Sequence, residues 1–183
     1  SFAHATVDLV SSSNATTVFE RNSQNGTYTL KVVAVPNQNA NLSAVEANIR
    51  YDHTVFQILS LNDQINAQSG AIWETSVVNS SYEVSGNYTT IKYLKASTNG
   101  DSWLVIGGSG EKILYTLTVR IRSDAPTGST QLIFDPNFAK VQSTISGNIT
   151  GSLTQVTFNI VLDGTAPVSS VINGIVGGYY PSA

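Results

Sequence analysis

The sequence predicts an all-β sandwich or jelly roll, on three observations. Apolar and polar residues alternate with period two in segment after segment, helical periodicity is almost absent, and reversal-prone clusters separate the alternating segments. The clearest segment is 112–122. There Ile113, Tyr115, Leu117, Val119 and Ile121 are expected to face a core, and Lys112, Thr116, Thr118, Arg120 and Arg122 to face water. Leu114 is then the one apolar residue on the wet side. Segment 155–162 repeats the pattern, with Val156, Phe158, Ile160 and Leu162 alternating with Gln155, Thr157 and Asn159, and reads as the closing strand.

Further strands are expected at 6–10, 27–35, 43–51, 55–61, 72–78, 89–96, 103–106 and 131–134. Between them, Asn25-Gly26, Pro36-Asn37, Asn99-Gly100-Asp101, Gly107-Gly108-Ser109-Gly110 and Ala125-Pro126-Thr127-Gly128 favour reversals. Many short strands without interleaved helices point to a single sandwich, and 183 residues suffice for one sizeable core.

Charged residues make up only 11% of the chain, the net charge is −3, and Lys and Arg are not clustered. Nothing here would neutralise a row of phosphates, so nucleic acid is not expected as a partner. The absence of Cys removes disulfides and thiolate metal sites. No apolar run approaches the ~20 residues of a membrane helix.

The opening Ser1-Phe2-Ala3-His4-Ala5 carries an A-x-A pattern, which reads as a signal-peptide remnant or a cloning scar over 1–5. Six sequons, at Asn14, Asn25, Asn41, Asn79, Asn87 and Asn148, are candidate glycosylation sites and agree with a secreted or cell-surface location. The domain is expected over 6–162. After it, Asp163-Gly164-Thr165-Ala166-Pro167 reads as a linker. An apolar tail carrying Val168, Val171, Ile172, Ile175, Val176, Tyr179 and Tyr180 follows. That tail reads as the start of a following module or as an extended segment that pairs with a sheet edge, its own or a neighbour's.

Catalysis needs titratable groups gathered in a pocket, and the sequence offers no such set. His4 and His53 are the only histidines; His53 reads as a turn residue beside Asp52, whose carboxylate would tie down that turn. Nucleophile-elbow, zincin, Walker and dinucleotide motifs are absent. The run 107–110 lacks the Lys and helix that a phosphate loop needs, and reads as a hairpin connection. No metal or cofactor site is predicted; calcium near Asn99, Asp101 or Asp163 lacks the D-x-D-x-D-G spacing. Trp73 and Trp103 raise a sugar-stacking platform, which requires at least two of Trp73, Trp103, Tyr82, Tyr88 and Tyr93 to lie coplanar and exposed on one face.

Two blocks carry a family resemblance. Segment 45–61, V-E-A-N-I-R-Y-D-H-T-V-F-Q-I-L-S-L, resembles the cohesin signature in which a strand ends in Tyr-Asp, turns, and continues into an apolar strand. Tyr51-Asp52 matches the pair, while His53 and Phe56 stand where the family usually has Pro and Leu. Segment 113–135, ending R-I-R-S-D-A-P-T-G-S-T-Q-L-I-F-D, resembles the cohesin run through a Pro-Gly turn into a short strand. The resemblance implies a jelly-roll sandwich of about nine strands that binds calcium-loaded dockerin modules through one sheet face. It places that face on Ala44, Glu46 and Asn48 and on Leu94, Ala96 and Ser97. Only Glu46 and Asn48 keep the acidic or amide chemistry that cohesins often use there; Ala44 and Ser97 depart from it.

Three functions follow as expectations. A non-catalytic extracellular module would attach a protein partner, of dockerin type or another copy of itself, through a sheet face. A structural subunit would build a surface filament or layer by donating its C-terminal strand. A carbohydrate-binding module would hold polysaccharide on aromatics.

Overall fold

The computed structural model describes residues 4–21 and 26–162. Among them the chain forms, in order, β1 (Val7–Val10), β2 (Val18–Arg21), β3 (Tyr28–Pro36), β4 (Ala40–Asp52), β5 (Phe56–Asp63), the helix α1 (Ile65–Ser69), β6 (Thr75–Ser85), β7 (Tyr88–Ala96), β8 (Trp103–Val105), β9 (Lys112–Ile121), β10 (Gly128–Thr130), β11 (Ile133–Ser143), β12 (Gly147–Asn148), β13 (Thr150–Thr154) and β14 (Phe158–Leu162). One sheet has the order β13-β1-β3-β9-β5, and the facing sheet has the order β12-β11-β4-β7-β6, with β8 added on β4. A small third sheet, β10-β14-β2, contributes Phe19, Phe158 and Ile160 to the same core. The pairing of β4 with both β7 and β11, and of β9 with both β3 and β5, gives the jelly-roll sandwich that the alternation predicts.

The interior is apolar from both sheets: Leu30, Val32, Leu117 and Val119 meet Val45, Ala47, Ile49, Ile91 and Val141, all at 0% exposure. Strand β9 follows its predicted pattern from Tyr115 to Ile121 but not before it. The β3–β9 register shifts so that Val32 faces Tyr115 and Val33 faces Ile113, leaving Leu114 as the extra residue of a bulge. Leu114 is therefore fully buried and Ile113 only partly so, the reverse of the sequence expectation.

Other departures have equally local causes. The strand expected at 72–78 begins at Thr75 and runs to Ser85, because Ile72 and Trp73 belong to the connection after α1. Trp73 is buried there with its indole N–H donating to the Ser69 hydroxyl at 3.0 Å, while Ile72 is exposed. The helix itself, at five residues, is too short for its periodicity to register. It ends at Gly70, whose φ of 66° supplies the left-handed cap. Strand β11 continues past 131–134 to Ser143 because Pro136 sits inside a register shift between Phe134 and Ala139, where no ladder N–H is needed. In β14, Phe158 and Ile160 are buried as expected, but Leu162, at the strand's end, is exposed.

Two buried tyrosines cross-brace the sheets. Tyr93 of β7 and Tyr115 of β9 stack with ring centroids 4.4 Å apart. The Tyr93 hydroxyl donates to Asp63 Oδ1 at 2.7 Å, with the Leu114 carbonyl 3.1 Å away, and the Tyr115 hydroxyl donates to the Ala47 carbonyl at 2.8 Å. Burial pushes both hydroxyl pKa values far above the ordinary tyrosine range, with the Asp63 carboxylate adding to the effect on Tyr93. A pKa raised in the folded state means stability is complete below the unfolded value near 10 and is lost above it. The expected slope is about 1.4 kcal/mol per pH unit for each tyrosine. Denaturant titrations between pH 9 and about 11 check this; a flat profile contradicts the burial of these hydroxyls.

A glycine makes one close approach essential. A Cβ on Gly107 would lie 2.3–2.6 Å from the backbone N, Cα and C of Gln38, where the Gly107 N–H also donates to Asn39 Oδ1 at 3.0 Å. Gly107→Ala is expected to cost about 1–3 kcal/mol through forced displacement of that loop. An unchanged unfolding midpoint would show that the two loops are not in contact.

Candidate partner-binding face

The candidate residues gather on the outer face of the β12-β11-β4-β7-β6 sheet because strands expose alternate side chains. In β4, Val45, Ala47, Ile49 and Tyr51 are buried, which turns Ala44, Glu46 and Arg50 outward, while Asn48, at the alternate position between them, is itself covered. In β7, Thr89, Ile91, Tyr93 and Lys95 are buried, which turns Tyr88, Thr90, Lys92, Leu94 and Ala96 outward. Register aligns these residues into rows across the sheet. Gln142, Ala44, Ala96 and Thr75 form one row, and Lys140, Glu46, Leu94 and Val77 form the next. Ala44, Glu46, Leu94 and Ala96 thus make a half-buried central block.

Ser97 lies just beyond β7, its amide donating to the Ser43 carbonyl at 2.8 Å and its hydroxyl to Asn99 Oδ1 at 3.2 Å. Asn48 corrects the expectation that it offers a polar group to a partner. It is only 3% exposed, and its Oδ1 accepts the Tyr93 amide N–H at 3.0 Å. That side chain is committed to joining β4 to β7.

The next part of the face is charged and aromatic. Lys92 Nζ lies 3.4 Å from Glu46 Oε2, and both side chains are more than four-fifths covered. The same ammonium sits 5.6 Å from the Tyr82 ring centroid and 5.4 Å from that of Phe138. An ion pair flanked by two rings is partly shielded from water, which strengthens both the Coulomb and the cation–π attraction. Farther along, the Arg50 guanidinium lies 5.2 Å from the Tyr88 centroid. Beside it opens a depression of about 460 Å³ lined by Asp52, Tyr88, Ser129, Thr130, Gln131, Ile133 and Thr157. The sequence reading missed Arg50, Val77, Tyr82, Tyr88, Lys92, Phe138 and Lys140 as members of this face. The alternation of β7 could have supplied Tyr88 and Lys92; the β6 and β11 members depend on long-range register, which no local pattern encodes.

Of the five aromatics considered for a sugar platform, Trp73, Trp103 and Tyr93 are buried, at 7%, 5% and 0% exposure, which leaves Tyr82 and Tyr88, each with a cation over one face. In the β4–β5 turn, Asp52 Oδ1 accepts the Thr54 N–H at 2.8 Å and the Thr54 hydroxyl at 2.6 Å, and His53 Nδ1 lies 3.0 Å from the Thr89 hydroxyl. Asn99 Oδ1 accepts the Asp101 amide N–H at 3.1 Å, and among the described residues no three His, Cys, Asp or Glu side chains converge to hold a metal. No described helix is long and apolar enough to cross a membrane.

Of the sequons, Asn41, Asn79, Asn87 and Asn148 are exposed, although the carboxamide oxygens of Asn79 and Asn148 accept the amides of Ser81 and Thr150. Asn14 is drawn inward, its Nδ2 donating to the Thr29 carbonyl at 2.5 Å and its Oδ1 accepting the Lys31 N–H at 3.2 Å. Asn25, Asp163, most of the proposed leader remnant and the whole apolar tail from Val168 to Tyr180 lie outside the described residues.

No curated protein matches the chain in sequence. Among solved structures, it is similar to the seventh ScaB type I cohesin of Pseudobacteroides cellulosolvens, with 14% identity, a TM-score of 0.61, and 89% of this chain and 96% of that one covered. It is also similar to CaCohA2 of Clostridium acetobutylicum, with 19% identity, a TM-score of 0.58, and coverage of 88% and 94%. A third is a chain of a type I cohesin–dockerin complex of Clostridium thermocellum, with 14% identity, a TM-score of 0.58, and coverage of 85% and 99%. At these identities the likeness concerns the fold. The family model for the cohesin domain matches residues 15–160, most of the 183-residue chain, and the chain belongs to the cohesin domain family.

Proposed function

We propose that this cohesin domain is a non-catalytic attachment module of a secreted or cell-surface protein, and that the outer face of its β12-β11-β4-β7-β6 sheet docks a calcium-loaded dockerin-type module. The observation that carries the reading is the composition of that face. A rigid, hydrogen-bonded surface presents half-buried Ala44, Leu94 and Ala96 beside exposed Val77, Tyr82, Phe138 and Tyr88, with charges interleaved. Apolar and aromatic anchors surrounded by polar groups are the makings of a protein interface, and side chains already fixed on strands lose little freedom on binding. Similar cohesin folds solved as complexes with dockerins support the choice of partner class.

Calorimetry against a panel of calcium-loaded dockerins tests the reading. Binding to at least one member is expected, with loss on calcium chelation, because the calcium belongs to the partner's fold. Silence across a broad panel would count against it.

A further inference from the structure

Arg50 stands out on this face. It is exposed, it projects from a central strand whose neighbours Ile49 and Tyr51 are buried, and its guanidinium is laid over the Tyr88 ring at 5.2 Å. The ion pairs among the described residues join Lys31 to Glu111, Lys92 to Glu46 and Lys95 to Asp63, and none engages Arg50. Glu46 is already taken by Lys92. Glu83 is two strands away in the same row, with Thr90 between. Lys140 is exposed at the other side of Glu46. The face therefore presents three cations, Arg50, Lys92 and Lys140, and three carboxylates, Glu46, Asp52 and Glu83; Glu46 is held by Lys92 and the Asp52 Oδ1 by Thr54, which leaves the Arg50 fork without a carboxylate partner among the described residues.

We propose that Arg50, positioned by Tyr88, is a specificity-determining residue that receives a carboxylate from the docking helix of the partner, which is accordingly acidic at that end. The proposal rests on the sheet-face reading above and adds the partner's chemistry to it. A guanidinium offers two parallel N–H donors that match a carboxylate, and stacking on an aromatic ring holds the fork in one plane without consuming those donors. The depression next to Tyr88 leaves room for such a side chain; Ser129, Thr130, Gln131 and Thr157 supply hydroxyl and amide groups around it, and its one carboxylate, Asp52, has Oδ1 turned to the Thr54 N–H and hydroxyl. The opposite end of the face, at Ala44, Ala96, Leu94 and Val77, is small and aliphatic. A docking helix that fits both ends carries small apolar residues at one end and Asp or Glu at the other.

The test is selection from a displayed library of calcium-loaded dockerin modules randomised along their exposed helix faces, run in parallel against the wild-type chain and Arg50→Glu. Wild type is expected to enrich Asp or Glu at one end of the docking helix, and Arg50→Glu to enrich Lys or Arg at the same positions. Binders selected on wild type should weaken about tenfold or more on Arg50→Glu, and less on Arg50→Lys, which keeps the charge but loses the fork. An equal thermal midpoint for Arg50→Glu and wild type excludes misfolding as the cause. If both chains enrich binders with no difference in helix charge, the Arg50 assignment is wrong and the face reading stands. If neither chain enriches any dockerin, both fall.

Discussion

Replacing Lys95 with Met is expected to lower the unfolding free energy by about 3 kcal/mol, a loss that denaturant titration would register as a large drop in midpoint. Lys95 lies on the inner side of β7 at 3% exposure and ion-pairs with Asp63 at the end of β5. Asp63 also accepts the Tyr93 hydroxyl at 2.7 Å and, through Oδ1, the Ile65 N–H at 3.1 Å at the start of α1. The pair thus ties the two sheets and the helix together. Removing the ammonium leaves a largely covered carboxylate without its counter-charge, and this uncompensated charge is the main cost. Adding Asp63→Asn to Lys95→Met should therefore recover about 1–2 kcal/mol, since the amide oxygen can still accept from Tyr93 and nothing charged remains unpaired. A double variant no more stable than the single one would mean that lost packing dominates.

Leu94→Asp is expected to weaken binding of a cognate dockerin by about a hundredfold or more while leaving the thermal midpoint close to wild type. Leu94 is half-buried in the row of Lys140, Glu46 and Val77, at the centre of the proposed interface. A carboxylate there would be desolvated by the partner and would sit beside Glu46, the one acidic neighbour in its row. The control is Thr118→Lys on β9, which faces outward from the opposite sheet and should change binding by less than about twofold. Equal losses for the two variants would remove the face from consideration.

The sandwich was legible in the sequence wherever one side of a strand is buried and the other wet, as in β7 and the second half of β9. It failed at the places where tertiary geometry overrides alternation. The bulge at Leu114 exists to satisfy the partner strand, and Pro136 reads as a strand breaker until the register shift that accommodates it is known. Strand β2 and the short β10, β12 and β13 depend on long-range pairing, and a segment of two to five residues carries too little pattern to be recognised. The family resemblance names Ala44, Glu46, Asn48, Leu94, Ala96 and Ser97, and the β4–β7 register sets four of them, Ala44, Glu46, Leu94 and Ala96, side by side. It could not foresee that Asn48 is turned to an internal task, or that Arg50, Lys92 and their aromatic partners give this chain a charge signature of its own.

The most direct test of the sheet-face account is an amide and methyl NMR titration of the 19.4 kDa chain with a calcium-loaded dockerin that binds it. Shifts are expected to concentrate on the outward residues of β4, β6, β7 and β11, with Leu94, Ala96 and Ala44 among the largest and with β3 and β9 nearly silent. Perturbations centred on the outer face of the β13-β1-β3-β9-β5 sheet would contradict the account.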